Sequence, residues 1–344
     1  MLVLVFTLIL SYILIRLIIL NACRLSLLDV PNERSHHCKV IPRGAGIGFV
    51  IAIFSGMMID DFAMVVEYWY VFLSILIVFS VGVLDDIYDT PPKAKFLVIF
   101  IAVALLWWYG LSIDSFGSWF GVDIKLWWFA LPFTMFALAG FTNALNLIDG
   151  LDGLAGLISV VIIGVFGYIG YIHKDMLMVE LSLFSIASLL GFLILNYNPA
   201  KVFMGDSGSL SLGFIISILA VMSIKYIHPV VILYIAAIPI LDTLVVMIRR
   251  IKMGISPFSP DKTHLHHILV RFIGDEARKV KVISATRGAV WFLVVVQCVF
   301  SCIGLMVDRY ITLHTTIVPP LALLGFGAIF VMVYKISYVL YKSK

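Results

Sequence analysis

Long apolar runs fill this chain almost from end to end, and no other feature restricts its fold so severely. The runs are apolar on all sides and do not alternate, so they read as helices and not as strands. Backbone that crosses a bilayer must satisfy its own hydrogen bonds, which leaves only helices or closed barrels. Composition agrees: 62% of residues are hydrophobic and 13% are charged, against about 25% charged in a soluble domain. The expected fold is therefore all-α, a polytopic membrane helix bundle with lipid as its solvent. Eleven candidate spans lie near residues 1–20, 45–59, 69–84, 96–111, 126–142, 154–172, 181–196, 208–224, 229–248, 288–307 and 315–334, with ten as the alternative count. Several are shorter than the roughly 20 residues of a perpendicular span. The first run begins at Met1 with no basic leader and no small-residue cleavage site after it, so it is expected to be retained.

Lys and Arg set the expected orientation. With the N-terminus outside, the inner loops and the C-terminal tail hold 19 of the 24 basic residues. Only Lys125, Lys174, Lys225 and Arg309 lie outside, and Arg16 falls within the first span. That bias predicts an outward N-terminus. One integral membrane domain, 1–344, is expected, with a long inward-facing loop at 249–287. The net charge of +4 is small and gives no reason to expect a nucleic-acid partner.

Five polar islands interrupt the apolar runs, and in this topology all five fall on the inner side. Charge is costly beside lipid, so carboxylates gathered there point to a site. Asp85, Asp86 and Asp89 follow directly on a span. On a continuing helix Asp85 and Asp89 would share a face. Such a cluster suits a cation held by oxygen ligands, and magnesium usually takes one or two carboxylates plus a substrate phosphate. A solvated helix end explains these three residues equally well. Asn143, Asn146, Asp149 and Asp152 recur every three residues, lining one side of a helix until Gly150 and Gly153 loosen it. A simple helix cap does not need four aligned polar side chains. Phe203-Met-Gly-Asp206-Ser-Gly-Ser precedes another span, and a helix start of that composition offers amides and hydroxyls to an anion.

His264, His266 and His267 stand among cations, next to Asp261 and Lys262. They lack zinc-type spacing, so phosphate contact is the preferred reading. A short helix around 264–272 is expected there, capped by Asp261 or Thr263. In the first loop Asn32, Arg34, His36, Lys39 and Arg43 precede Gly44, Gly46 and Gly48. They suit a pyrophosphate, and equally a positive-inside loop feeding a tightly packed helix. Asp242 lies deep in an apolar run after Pro239, where it is expected to support neighbouring site residues.

Taken in order from Asp29 to Arg271, these islands resemble the polyprenyl-phosphate N-acetylhexosamine-1-phosphate transferases. Asp85-Asp86-x-x-Asp89 is similar to that family's aspartate-rich motif, and Asn143 to Gly153 and Phe203 to Ser209 to its next two. The His264-Leu-His266-His267 block resembles the branch that uses UDP-GlcNAc. The resemblance implies transfer of GlcNAc-1-phosphate to undecaprenyl phosphate, giving undecaprenyl-diphosphate-GlcNAc and UMP. It implies Mg2+, or Mn2+ in its place, and a bacterial inner membrane with a periplasmic N-terminus and a cytoplasm-facing site. It also implies a surface-polysaccharide pathway (O-antigen, enterobacterial common antigen or teichoic acid) and a homodimer.

By the same resemblance Asp206 is a metal ligand, with Asp85 and Asp86 near the metal and the lipid phosphate. Catalytic roles extend to Asp149, Asp152, His264, His266 and His267. Asn143, Asn146, Asn196, Lys39 and Arg43 would bind substrate, with Phe203 stacked on uracil. A lipid phosphate is already largely ionised near neutral pH, so direct displacement is expected, with Asp85 or Asp86 placing the acceptor. A covalent aspartate is the rival mechanism. Another UDP-amino sugar, such as UDP-GalNAc, is the alternative donor. An ion-coupled transporter is the alternative class, although transporter sites typically lie near the bilayer midplane and these acids gather at one edge.

Overall fold

The computed structural model describes residues 1–29, 40–256, 264–274, 282–313 and 317–342. It is helical almost throughout, and each of the eleven expected apolar regions contains helix. Among the described residues eight helices are long and apolar enough to cross a membrane, or nine if one sharply bent pair counts as a single span. The difference from eleven is one of length. The expected spans at 45–59 and 96–111 are helices of 16 and 17 residues, shorter than a perpendicular crossing requires. The chain is a multi-pass membrane protein.

The helices fall into two compact units. The first comprises residues 1–113 and 127–226. It contains α1 (Leu2–Asn21), α2 (Ala45–Asp60), α3 (Phe62–Glu67), α4 (Trp69–Tyr88), α5 (Pro92–Trp108), α6 (Ala130–Ile148), α7 (Leu154–His173), α8 (Met176–Asn196) and α9 (Gly205–Ser223). A two-stranded ribbon, β1 (Leu28–Asp29) with β2 (Ile41–Pro42), precedes α2. The central element is α9, packed by α4, α6, α2 and α7. Most of its length is buried. Its serines make that possible: Ser209, Ser211 and Ser217 each donate to the carbonyl four residues back, so small polar side chains satisfy themselves inside an apolar bundle.

The first turn of α9 is a junction of backbones. Ala45 and Gly46 amides donate to the Phe203 and Met204 carbonyls, and the Phe203 amide donates to Pro42. A Cβ on Gly46 would stand 2.0 Å from the Gly208 nitrogen. Only hydrogen at that position lets the two helices meet so closely. Gly205 opens α9 with φ of +72°, and a side chain there would strike the Asp86 carboxylate. That left-handed conformation strongly favours glycine.

The second unit comprises residues 114–126 and 227–344. A hairpin of β3 (Ser115–Trp119) and β4 (Val122–Lys125) belongs to it. So do α10 (Pro229–Ile235), α11 (Ala237–Lys252), α12 (Leu265–Ile273), α13 (Val282–Leu313) and α14 (Val318–Lys342). The expected span at 229–248 is not one straight helix: α10 and α11 meet at 87°. Gln297 of α13 fills the break. Its Nε2 donates to the Ile235 carbonyl at 2.7 Å, and its Oε1 accepts from the Ile238 amide at 3.0 Å. Pro239 sits in the first turn of α11, where its missing N–H leaves no intrahelical bond unmade.

Candidate active site

The α4 helix brings Asp85 and Asp86 to the start of α9, and each does something different. Asp86 is 2% exposed. Its Oδ1 accepts from the Asp206 amide at 2.8 Å and its Oδ2 from the Ser207 amide at 3.1 Å. It caps α9 from outside that helix, occupying two of the free N–H groups that every helix start carries.

Asp85 points to the other carboxylate. Lys95 of α5 lies between them, with Nζ 2.8 Å from Asp85 Oδ2 and 2.5 Å from Asp206 Oδ2. Asp206 Oδ1 accepts from Asn146 Nδ2 at 3.0 Å, and the same amide donates to Ser209 at 2.8 Å. Asp85 Oδ1 is held by the amide and hydroxyl of Thr90, both at 2.7 Å. Four helices thus converge through Asp85, Lys95, Asn146 and Asp206. Two carboxylates against one ammonium leave a net negative charge, all in hard oxygen donors. That donor set fits magnesium or manganese. Among the described residues no three His, Cys, Asp or Glu side chains are arranged to hold a metal by themselves, so water and phosphate oxygens would complete the coordination.

Asp89 departs from the expected alignment. Pro91 and Pro92 follow closely, and α4 ends at Tyr88. Asp89 takes φ of +51°. Its exposed carboxylate lies 3.4 Å from Arg43 instead of sharing a face with Asp85. Arg43 is therefore placed as that pair's partner, while Lys39 lies outside the described residues, as do Asn32, Arg34 and His36.

The polar line from Asn143 to Asp152 also breaks. Asn143 is half-buried one turn before Asn146, and α6 ends at Ile148. Asp149 follows as the C-cap. Asp152 turns away to accept from Asn198 Nδ2 and the Ala200 amide, both at 2.9 Å. Asn196 spans the same loops, accepting from the Gly153 amide at 2.9 Å and donating to the Val202 carbonyl at 2.8 Å. Asp152 and Asn196 are bound up in bracing the loops that lead into α9. Phe203 contributes its backbone to the α2 junction.

Burial, with the like charges of Asp206, Asp152 and Asp86, raises the pKa of Asp149 well above its ordinary 3.8. The folded protein then holds that proton more tightly than the unfolded chain does. This group makes no difference to stability below about pH 4, and stability falls as pH rises from there through the folded pKa. Asp149→Asn removes the penalty. We expect a higher melting temperature than the parent at pH 7 and no difference near pH 4, read by thermal unfolding in detergent. An equal or lower melting temperature at pH 7 would contradict the assignment.

In the second unit α12 carries the histidine segment. His264 and His266 are buried, and His267 is half-buried. Asp242 of α11 lies against His264 and the start of α12. The proposed caps Asp261 and Thr263 lie outside the described residues. His264 is the N-cap position but makes no side-chain cap, and the Leu265 amide is taken by Asp242 instead.

Sequence reasoning counted Lys95 only as an inner-loop charge, and it overlooked Gln297. The signal for Gln297 was a lone carboxamide in an otherwise apolar run.

Comparison with known proteins gives concordant matches. The family model described as glycosyl transferase family 4 matches residues 68–224. A protein of Bacillus subtilis (strain 168), described as a probable undecaprenyl-phosphate N-acetylglucosaminyl 1-phosphate transferase, is 37% identical over 258 residues, covering 73% of this chain and 72% of that protein. The undecaprenyl-phosphate alpha-N-acetylglucosaminyl 1-phosphate transferase of Salmonella typhi is 32% identical over 279 residues, 78% of this chain and 76% of its own. That of Yersinia pestis is 30% identical over 260 residues, 73% and 71% respectively.

Proposed function

The chain belongs to the family of undecaprenyl-phosphate N-acetylglucosaminyl 1-phosphate transferases, and from that premise we propose that it transfers GlcNAc-1-phosphate from UDP-GlcNAc to undecaprenyl phosphate. The observation that best supports this is the knot of Asp85, Lys95, Asn146 and Asp206 at the start of α9. The products are undecaprenyl-diphosphate-GlcNAc and UMP. The reaction opens a surface-polysaccharide pathway of O-antigen, common-antigen or teichoic acid type, at the cytoplasmic face of the inner membrane.

An oxygen of the lipid phosphate attacks the β-phosphorus of the donor. The bond from that phosphorus to the bridging oxygen breaks, and UMP leaves. The chain's task is to place two phosphate-bearing substrates that repel each other. Asp206 and Asp85 would hold the divalent cation, which when bound offsets phosphate charge. Lys95 already bridges two carboxylates, and phosphate offers it an alternative anion to pair with. Of the two neighbouring aspartates, Asp85 is the better group to place the acceptor and take a residual proton. Both Asp86 oxygens are engaged by α9 amides, whereas Asp85 Oδ2 is held by a lysine. His267 is assigned to donor phosphate.

Mass spectrometry of the lipid product made from a panel of UDP-sugars tests the reading. We expect UMP release only with both undecaprenyl phosphate and a divalent cation present, and GlcNAc in the product. A preference for UDP-GalNAc would move the donor assignment. Lipid-independent exchange of UMP with UDP-GlcNAc would replace direct displacement by a covalent aspartate. No UMP release under any condition would remove the function.

A further inference from the structure

Asp242 is a carboxylate within an apolar helix, and nothing in the proposed reaction uses it directly. It is 1% exposed. A buried carboxylate is costly unless each oxygen is engaged, and here each is. Oδ2 lies 2.9 Å from His264 Nδ1, and Oδ1 accepts from the Leu265 amide at 2.6 Å. His266 Nδ1 stands 3.7 Å from Oδ2. The His264 and His266 rings stack at 5.5 Å with 21° between planes, and His266 and His267 meet at 4.1 Å. One carboxylate therefore touches His264 and Leu265 and stands close to His266, and the His266–His267 ring contact carries its influence to His267.

We propose that Asp242 is the positioning residue of the histidine segment: it fixes the His264 proton on Nδ1, caps α12, and so sets how the half-buried His267 is presented to phosphate. The chemistry requires a carboxylate. Two donors, an imidazole N–H and a backbone N–H, converge on Asp242, and a carboxylate accepts both through separate oxygens. An amide has one acceptor atom and places two N–H groups where the second acceptor stood. With Asn at 242, either the α12 cap is lost or His264 must turn its proton to Nε2. The partner of one ring nitrogen decides what the other nitrogen can do. Glu is one methylene longer and would displace α12 from its seat. The catalytic consequence rests on the reading above that this segment grips the donor's phosphate; the tautomer and the cap do not.

The experiment uses the full-length protein in nanodiscs as parent, Asp242→Asn, His264→Asn and the double variant. The first measurement is the imidazole nitrogen spectrum of 15N-histidine-labelled protein, with His264→Asn identifying the signal. The parent should show His264 protonated on Nδ1, and Asp242→Asn should shift it towards Nε2–H. A parent that carries the proton on Nε2 overturns the proposal without recourse to any variant at Asp242. The second measurement is UMP release at varied UDP-GlcNAc. Asp242→Asn should lower kcat/KM for the donor about 10-fold, mostly through KM, since a displaced phosphate contact forfeits a charge-assisted hydrogen bond of about 1.5 kcal/mol. The double variant should fall within about threefold of the worse single variant, because residues acting as a unit do not add. Losses that multiply in the double variant would sink the idea. Absence of UMP release from the parent would remove the proposed reaction, while the nitrogen spectrum would still decide the role of Asp242.

Discussion

Asp206→Asn should reduce turnover by about 1,000-fold, roughly 4 kcal/mol of transition-state stabilisation, while the protein remains folded in the membrane. Asn keeps an oxygen for the Asn146 amide, which now reaches Asp206 at 3.0 Å. It replaces the oxygen that faces Lys95 with an N–H donor, so the ammonium retains only Asp85. The cluster changes from net negative to neutral and loses the carboxylate best placed for a divalent cation. Asp86 bonds the backbone of residue 206, not its side chain, so the α9 cap survives. UMP release and thermal unfolding measured on the same preparation separate the two effects. Activity within tenfold of the parent would mean that Asp206 does not hold the metal.

Gly46→Ala should be the most damaging small substitution in the first unit. The added methyl would lie 2.0 Å from the Gly208 nitrogen, 2.3 Å from its Cα and 2.5 Å from the Ser207 carbonyl carbon. All three are backbone atoms of the first turn of α9, so no side chain can swing aside. Overpacking typically costs 1–3 kcal/mol, and a clash with helix backbone belongs at the top, about 3 kcal/mol. The melting temperature should fall on the order of 5–10 °C. Moving that turn also shifts the amides that Asp86 holds and the carboxylate of Asp206. Misplacement of about 1 Å costs roughly 100-fold in rate. Gly140→Ala is the matched control: nothing lies within 4 Å of a Cβ there, in the middle of α6. Equal melting temperatures for the two variants would show that α2 and α9 are not in contact at Gly46.

The apolar runs made the helices legible, because lipid admits so few alternatives. That the carboxylate and carboxamide islands would meet was legible from their shared edge, and Asp85, Asn146 and Asp206 do gather with Lys95. The division of labour within the islands was not. Asp85 and Asp86 are adjacent in sequence, yet one faces a lysine and the other caps a helix that begins 119 residues later by its own numbering at Gly205. Lys95 reads as an ordinary inside-facing charge until α4, α5 and α9 are packed together, since its second partner is 111 residues away. Nothing in the sequence signals that Asn196 and Asp152 bond to loop backbone. Gly150 and Gly153 marked where the line from Asn143 to Asp152 would loosen, and α6 ends just before them, at Ile148. The end of α4 was marked locally by Pro91 and Pro92, and it turns Asp89 outward to Arg43.

The corner between α10 and α11 has a consequence for how the second unit can move. Water is scarce inside a bilayer, so a helix that bends sharply there would leave bare amide and carbonyl groups. Gln297 answers one of each, from a helix outside the corner. Such a corner is an elbow set at one angle by a tie rod, not a free joint: α11 cannot straighten without tearing both bonds.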